Sequence, residues 1–303
     1  METIIEVEDL VKRYGEITAV DRISFEVHEG EIFGMVGPNG AGKTTTIECI
    51  EGLRVPDDGT IRVWGLNPQQ DGYRLRERIG VQLQESALPD RIKVWEALDL
   101  FSSFYTKSVD WRPLLERLGI ADKCDTPFAK LSGGQKKRLF IALALVNDPE
   151  LVFLDELTTG LDPQARRAMW DLVRDIRDQG KTIFLTTHYM EEADLLSDRV
   201  GIIDEGRISV GGTSEELKGS ISDRRTMFIV AENITGEIME GLQERYSRVE
   251  EVNGKLKISD EKLNFKEITD YLHSNGATIH SAALEEPTLE DVFIQITGKE
   301  LRE

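Results

Sequence analysis

One glycine-rich stretch of this sequence has the residue types and the spacing that bind phosphate. It fits the pattern GxxxxGK[ST] and consists of Gly37, Pro38, Asn39, Gly40, Ala41, Gly42, Lys43, Thr44 and Thr45. Glycine takes positive φ and lets a phosphate approach the backbone, and a helix that begins near Lys43 offers unpaired N–H groups. The Lys43 ammonium adds charge, and the Thr44 hydroxyl adds a ligand for Mg²⁺. An ordinary glycine-rich turn is the alternative, but the strand pattern before the stretch and the helical pattern after it favour a nucleoside triphosphate site.

Two carboxylates end an apolar run of strand length at residues 151–156. The carboxyl end of a buried parallel strand delivers side chains to the ligand edge of a sheet. We expect Asp155 to hold Mg²⁺ directly or through water, and Glu156, which should face the other way, to orient and deprotonate the attacking water. His188 follows another predicted strand, residues 182–187. A lone histidine is usually structural, but at this edge it could hydrogen-bond the γ-phosphate or water.

A second anion site is predicted near residue 133. Ser132 and two glycines precede three basic residues and an apolar helical pattern that reaches Val146. A hydroxyl and free N–H groups converge at such a helix start. The hydroxyl and the N–H groups of this predicted site belong to the segment Leu131, Ser132, Gly133, Gly134 and Gln135. Without further context the same residues could form only an N-cap.

Periodicity indicates how these residues are positioned. Alternation predicts strands within residues 4–36, and near 60–64 and 79–83 as continuations of one sheet. Gln84 stands at the end of the last strand, and Tyr14 lies in a polar loop among the first. An aromatic at Tyr14 could stack on adenine, although a surface tyrosine is more often an amphipathic contact. Helical spacing then predicts a small helical subdomain at about residues 85–135.

The pattern changes again at about Ile221. Strands and helices follow in the order β-α-β-β-α-β, with a hairpin signal at Asn253-Gly254 and a last helix after Pro287. This order is the ferredoxin-like one, and no catalytic constellation occurs in it. We therefore predict one domain over residues 1–220 and an accessory domain over residues 221–303.

The composition limits the classes of function that this chain can have. The chain has 303 residues, 40% of them hydrophobic, and a formal charge of −19. That charge opposes binding to nucleic acid through a broad basic surface, so we expect no nucleic-acid partner. The two cysteines match no metal or redox spacing, and the longest apolar run is far shorter than the roughly 20 residues of a membrane span. A cytosolic chain that does not itself cross a membrane is expected.

The sequence resembles the nucleotide-binding subunit of an ATP-binding cassette (ABC) transporter. The motifs that carry the resemblance are, in chain order, the phosphate loop, Gln84, the LSGGQ segment, the carboxylate pair and His188. The resemblance covers residues 4 to about 218. Residues 286–293 and Thr297-Gly298 are similar to the end of the drug-resistance, daunorubicin-exporter-like branch. The resemblance implies an α/β fold: a P-loop NTPase cassette with a mixed sheet core and a helical subdomain, followed by a small α+β ferredoxin-like domain.

The resemblance also implies roles for single residues. Tyr14 would stack on adenine, the loop from Gly37 to Thr45 would hold the phosphates of ATP, and Glu156 would polarise water. Gln84 would touch Mg²⁺ and sense the permease, and His188 would contact the γ-phosphate. Ser132 and Gly134 would contact the γ-phosphate of the ATP bound to the other subunit of a homodimer, and Gln135 is also expected to bind the cofactor. The predicted metal ligands are Thr44, Gln84 and Asp155.

An ABC-2-type membrane permease is the partner that the resemblance implies, with the chain peripheral on the cytoplasmic face of the cell membrane. The expected function is to power export of a drug, lipid or similar amphiphile. One residue departs from the family pattern: Leu157 stands where proline usually follows the carboxylates, which could loosen the turn that aims Glu156. Two alternatives are a soluble ABC ATPase acting on ribosomes or DNA, and a regulatory ATP-binding module without hydrolysis. The intact Asp155, Glu156 and His188 argue against the second.

Overall fold

The computed structural model describes residues 2–82, 87–221, 225–252, 254–260, 262–285 and 287–299. The chain divides into two compact units, one reaching Ser214 and one covering Glu215–Lys299. Independent folding of the two predicted domains stays a prediction. Within the described residues no helix combines the length and the apolar character that crossing a membrane requires.

The strands of the first unit lie in two sheets. In chain order they are β1 (Thr3–Tyr14), β2 (Ile17–His28), β3 (Ile32–Val36), β4 (Asp58–Val63), β5 (Ile79–Gln82), β6 (Leu151–Asp155), β7 (Thr182–Thr187), β8 (Arg199–Asp204) and β9 (Arg207–Gly212). Among the described residues, one sheet has the order β5-β6-β7-β3-β8-β9 and is parallel except for the β8–β9 pair. The other is antiparallel with the order β2-β1-β4. The expectation that β4 continues the sheet of β5 is therefore wrong, since β4 pairs with β1.

Both faces of the central parallel strands are buried. On β6, Phe153 belongs to one hydrophobic cluster and Leu154 to another, and on β7 Phe184 and Leu185 alternate in the same way. The rings of Phe153 and Phe184 lie 5.8 Å apart. A one-residue slip would exchange the two faces, so the packing fixes the register of these strands. The positions at which β3, β6 and β7 end are thereby fixed as well.

The helices of the first unit include the predicted helical subdomain. They are α1 (Lys43–Ile50), α2 (Gly72–Arg76), α3 (Val94–Ser102), α4 (Trp111–Arg117), α5 (Gly133–Leu145), α6 (Pro163–Asp178) and α7 (Met190–Leu196), with two 3₁₀ turns at Ala121–Lys123 and Phe128–Lys130. Leu98 of α3, Leu114 of α4 and Leu139 of α5 share one cluster with Val152 and Leu154 of β6. The helical subdomain is thus packed on one face of the six-stranded sheet.

The second unit confirms the predicted ferredoxin-like order. Its elements are β10 (Arg225–Glu232), α9 (Gly236–Gln243), β11 (Arg248–Val252), β12 (Lys255–Asp260), α10 (Phe265–Ser274), β13 (Thr278–Glu285) and α11 (Leu289–Thr297). The strands pair antiparallel in the order β11-β12-β10-β13. Sequence reasoning missed the preceding helix α8 (Ser214–Ile221), because Leu217 is its only buried residue and no apolar stripe marks it.

Candidate nucleotide-binding site

The glycine-rich stretch joins the end of β3 to the start of α1, as its pattern predicted. Gly40 and Gly42 have φ of 81° and 106°, values that side chains rarely tolerate. A Cβ on Gly42 would also lie 2.4 Å from the carbonyl oxygen of Ala19. Gly42 is the N-cap of α1 and has no side chain to cap the helix. Backbone geometry and local packing both require glycine here.

The Lys43 side chain lies in the middle of the site. Its ammonium donates to the carbonyl oxygens of Gly37 at 2.8 Å and Pro38 at 3.1 Å, and lies 3.4 Å from Oε1 of Glu156. Burial lowers the pKa of Lys43, while the Glu156 and Asp155 carboxylates act in the opposite direction. The structure therefore brings the predicted phosphate ligand and the predicted general base together.

Asp155 is the last residue of β6 and is buried beside two hydroxyl groups. Thr44 Oγ1 lies 3.5 Å from Asp155 Oδ1, and the Thr186 hydroxyl donates to the same oxygen. Burial raises the pKa of Asp155, and the two hydroxyl groups oppose that shift. No cluster of three or more His, Cys, Asp or Glu side chains suited to a metal occurs in the described residues. Mg²⁺ is commonly held by one or two carboxylates plus substrate phosphates, so a hydroxyl and a carboxylate side by side fit it.

Glu156 lies just beyond β6 in a left-handed conformation, with φ of 47°. Its orientation is therefore set by this turn and not by the strand alternation that sequence reasoning assumed. Oε1 lies 3.5 Å from Nδ1 of His188, which follows the end of β7, and Oε2 accepts a hydrogen bond from the Thr159 hydroxyl at 3.3 Å. Both backbone and side chain of Glu156 are held beside Lys43 and His188.

The turn after Glu156 is held by Lys137 of α5, a residue that sequence reasoning missed. Its ammonium donates to the carbonyl oxygens of Glu156 at 3.2 Å and Leu157 at 2.5 Å. The Leu157 side chain is buried in the cluster of the helical subdomain. Burial lowers the pKa of Lys137. The ammonium and the buried leucine restrain this turn without the proline ring that the family usually has there.

Replacement of Lys137 by methionine should therefore lower kcat and leave ATP binding nearly unchanged. Freeing the two carbonyl groups loosens the turn that aims Glu156, and small misplacements of a catalytic group cost about tenfold to a hundredfold in rate. Lys136→Met is the matched control, because the Lys136 ammonium lies over the Phe128 ring, 4.7 Å from its centroid. Steady-state ATPase assays and nucleotide titrations measure the two effects. Equal kcat in the parent and in Lys137→Met would show that this contact does not position Glu156.

Glu192 of α7 is a second residue that sequence reasoning missed. Its buried carboxylate accepts hydrogen bonds from Thr158 at 3.0 Å, Thr187 at 2.6 Å and Trp170 at 3.1 Å. Burial raises the pKa of Glu192, and the three donors oppose that shift. Thr158 follows the turn of Glu156, and Thr187 precedes His188. Glu192 thus connects the two segments that carry the predicted catalytic side chains.

The predicted second anion site is separate from the first. Ser132 is the N-cap of α5: its hydroxyl accepts from the Gln135 amide at 3.3 Å, while Gln135 Oε1 accepts from the Ser132 amide at 2.9 Å. A Cβ on Gly134 would meet no atom within 4 Å. Among the described residues, no hydrogen bond or ion pair joins Ser132, Gly134 or Gln135 to Lys43. The capping role is confirmed, and the anion-binding role stays a prediction.

Two further predicted site residues have different outcomes. Tyr14 is the last residue of β1, paired with Ile17, so its assignment to a loop was wrong because β1 is longer than its alternation indicated. Tyr14 is 40% exposed, and the Lys12 ammonium and the Arg54 guanidinium lie 5.6 and 5.8 Å from the centroid of its ring. Stacking on adenine stays a prediction. Gln84 lies outside the described residues.

Comparison with known proteins agrees with this geometry. Residues 20–159 match the model of the family described as "ABC transporter", and residues 212–297 match "ATP-binding protein DrrA1-3-like, C-terminal domain". The chain is 38% identical over 318 residues to "Nod factor export ATP-binding protein I" of Ralstonia nicotianae, covering 99% of this chain and 95% of the relative. It is 35% identical over 316 residues to "Daunorubicin resistance ATP-binding protein DrrA3" of Streptomyces coeruleorubidus, covering 99% and 98%.

Solved structures are similar over nearly three quarters of the chain. One described as an ATP binding subunit of an ABC transporter superposes with a TM-score of 0.65 at 28% identity, covering 72% of this chain and 92% of that one. Another, cbiO1 from Clostridium perfringens, gives 0.63 at 28% identity, covering 73% and 95%. The chain therefore belongs to the ABC transporter family, as an ATP-binding and ATP-hydrolysing subunit with a DrrA1-3-like C-terminal domain.

Proposed function

We propose that this chain hydrolyses Mg²⁺-bound ATP at sites shared between two copies of itself, and so powers export through a separate ABC-2-type permease. The observation that carries the proposal is the meeting of Lys43, Asp155 and Glu156 within one buried site, 3.4 Å apart at the Lys43–Glu156 contact. Relatives named for daunorubicin resistance and Nod factor export support an amphiphilic cargo such as a drug or lipid. The chain would then act at the cytoplasmic face of the membrane.

The side chains of the site have complementary tasks in this reaction. The Lys43 ammonium and the first N–H groups of α1 neutralise phosphate charge. Thr44 and Asp155 would hold Mg²⁺, which supplies charge stabilisation on the transferred phosphoryl group. The Glu156 carboxylate orients the attacking water and accepts its proton, and His188 hydrogen-bonds the γ-phosphate or that water. Tyr14 would stack on the adenine, and Gln84 would join Mg²⁺ to the permease side of the site.

A groove between the helical subdomain and the six-stranded sheet is the proposed permease site. It has a volume of about 600 Å³ and is bordered by strand β5 at Gln82. We call it the aromatic groove, and its lining includes Leu53, Tyr73, Phe101, Phe104, Tyr105 and Phe140. Tyr73 and Phe104 are 76% and 62% exposed, unusual for large apolar side chains without a partner. A short cytoplasmic helix of the permease is the proposed occupant.

Cosedimentation with membranes tests this proposal. The chain should sediment only with membranes in which its permease is co-expressed, and Phe104→Glu should reduce that binding at least about tenfold by placing a charge in the groove. Phe265→Glu is the matched control, because Phe265 is a 51% exposed aromatic of α10 outside the groove lining. Sedimentation with ribosomes and not with membranes would favour the soluble alternative instead. Equal binding by both variants would exclude the groove.

A further inference from the structure

One carboxyl group in the aromatic groove has no role in the nucleotide site. Glu51 directly follows α1, is only 3% exposed, and lines the groove. Neither of its carboxyl oxygens has a hydrogen-bond partner within the described part of the chain. Burial raises the pKa of Glu51 to about 9, and the carboxylates of Asp155 and Glu48 act in the same direction. A buried polar group without a partner destabilises a fold, so packing within the chain gives no reason for a carboxyl group at residue 51.

Neighbouring cations are engaged elsewhere. Arg54, three residues after Glu51, pairs with Glu48 at 2.8 Å. Arg76 also lines the groove, but it is exposed, and its guanidinium lies against Gly72, 3.7 Å from the position of a Cβ there. The described residues therefore provide Glu51 with no cation of their own.

The chemistry of the groove suits one kind of side chain. Two carboxyl oxygens without partners can accept two parallel N–H bonds from a guanidinium group. The aromatic rings of Phe101, Phe104 and Tyr105 offer faces on which a planar cation stacks. An ammonium group lacks the planar fork, and an apolar side chain would leave both oxygens unpaired. The carboxyl group and the aromatic rings together form a site that suits an arginine side chain.

We infer that Glu51 binds an arginine side chain carried by the permease helix that docks in the aromatic groove. This inference rests on the proposed permease partner and specifies what that partner must present. Docking would place a guanidinium beside Glu51, release the proton of its carboxyl group to solvent, and so form a buried, bidentate ion pair. A helix without the arginine would be rejected. Glu51 would thus select the permease, while the apolar lining supplies area for docking.

A double-mutant cycle on the complex tests the inference, with the permease that cosediments with the parent chain as the probe. Glu51→Gln, and replacement of the permease arginine by glutamine, should each weaken docking at least about thirtyfold, and the two changes together should cost little more than either alone. Glu48→Gln is the matched control, because Glu48 lies one helical turn earlier and pairs with Arg54 outside the groove lining. Additive effects would overturn the inference, as would a docked helix without arginine.

The isolated chain provides an independent measurement. Because the carboxyl oxygens of Glu51 have no hydrogen-bond partner in the described residues, Glu51→Met and Glu51→Gln should melt at or above the parent temperature and bind ATP equally well. A melting temperature several degrees lower in both variants would assign Glu51 a structural role and overturn the inference. Failure of the parent chain to bind any permease would remove the proposed function and the inference together. If the Glu51 variants dock as well as the parent chain, the role of Glu51 is excluded and the proposed function is unaffected.

Discussion

Glu156→Gln is expected to hydrolyse ATP about 10²- to 10⁴-fold more slowly than the parent chain while it still binds nucleotide. An amide cannot take the proton of the attacking water, and loss of that step corresponds to roughly 3 to 5.5 kcal/mol of transition-state stabilisation. The amide oxygen can still accept from the Thr159 hydroxyl, which now lies 3.3 Å from Oε2, so the turn should persist. Removing a negative charge 3.4 Å from the Lys43 ammonium should not weaken phosphate binding.

The variant should therefore accumulate as an ATP-bound dimer. Glu191→Gln is the matched control, because Glu191 is an exposed carboxylate in the first turn of α7. Single-turnover hydrolysis and size-exclusion chromatography with ATP measure rate and dimerisation separately. A kcat within threefold of the parent value would remove Glu156 from the mechanism.

The sequence predicted that Lys43, Glu156 and His188 lie close together, because their positions depend on where strands end. Each part of the site stands at the end of an apolar run of strand length: the phosphate loop, Asp155 and His188. Parallel strands end at one edge of their sheet. Their meeting required only the order of elements and no knowledge of side-chain packing. The ferredoxin-like order of the second unit could be predicted for a different reason: segments with the period of a strand and segments with the period of a helix follow one another there.

Contacts made by side chains between elements could not be predicted in this way. Lys137 is one of three consecutive basic residues, and only the packing of α5 on the sheet decides which of them reaches the turn of Glu156. Glu192 lies in an acidic helix start that is typical of a solvated surface, yet its carboxylate is buried among three donors. The positive φ of Glu156 and the pairing of β4 with β1 likewise depend on tertiary contacts.

Mixing two inactive variants should restore about a quarter of the ATP sites if each site is shared between two chains. Lys43→Ala removes the ammonium of the phosphate loop, and Ser132→Arg places a bulky side chain at the start of α5. Ser132 is exposed and has no bond to Lys43 in its own chain, so a two-fold related partner is the simplest route by which it reaches phosphate. Each variant alone carries one lesion in every composite site.

In a mixed dimer the two lesions fall in one composite site, and the other site joins an intact Lys43 to an intact Ser132 of the partner. With random pairing about half of the dimers are mixed and half of their sites are intact, which gives the expected quarter. ATP occupancy, measured after subunit exchange, is the better readout, because coupling between the sites could suppress turnover even where one site is whole. Ser220→Arg, on α8 outside both anion sites, replaces Ser132→Arg in the matched control mixture. If occupancy does not rise once mixed dimers of Lys43→Ala and Ser132→Arg are shown to form, each site is built within one chain.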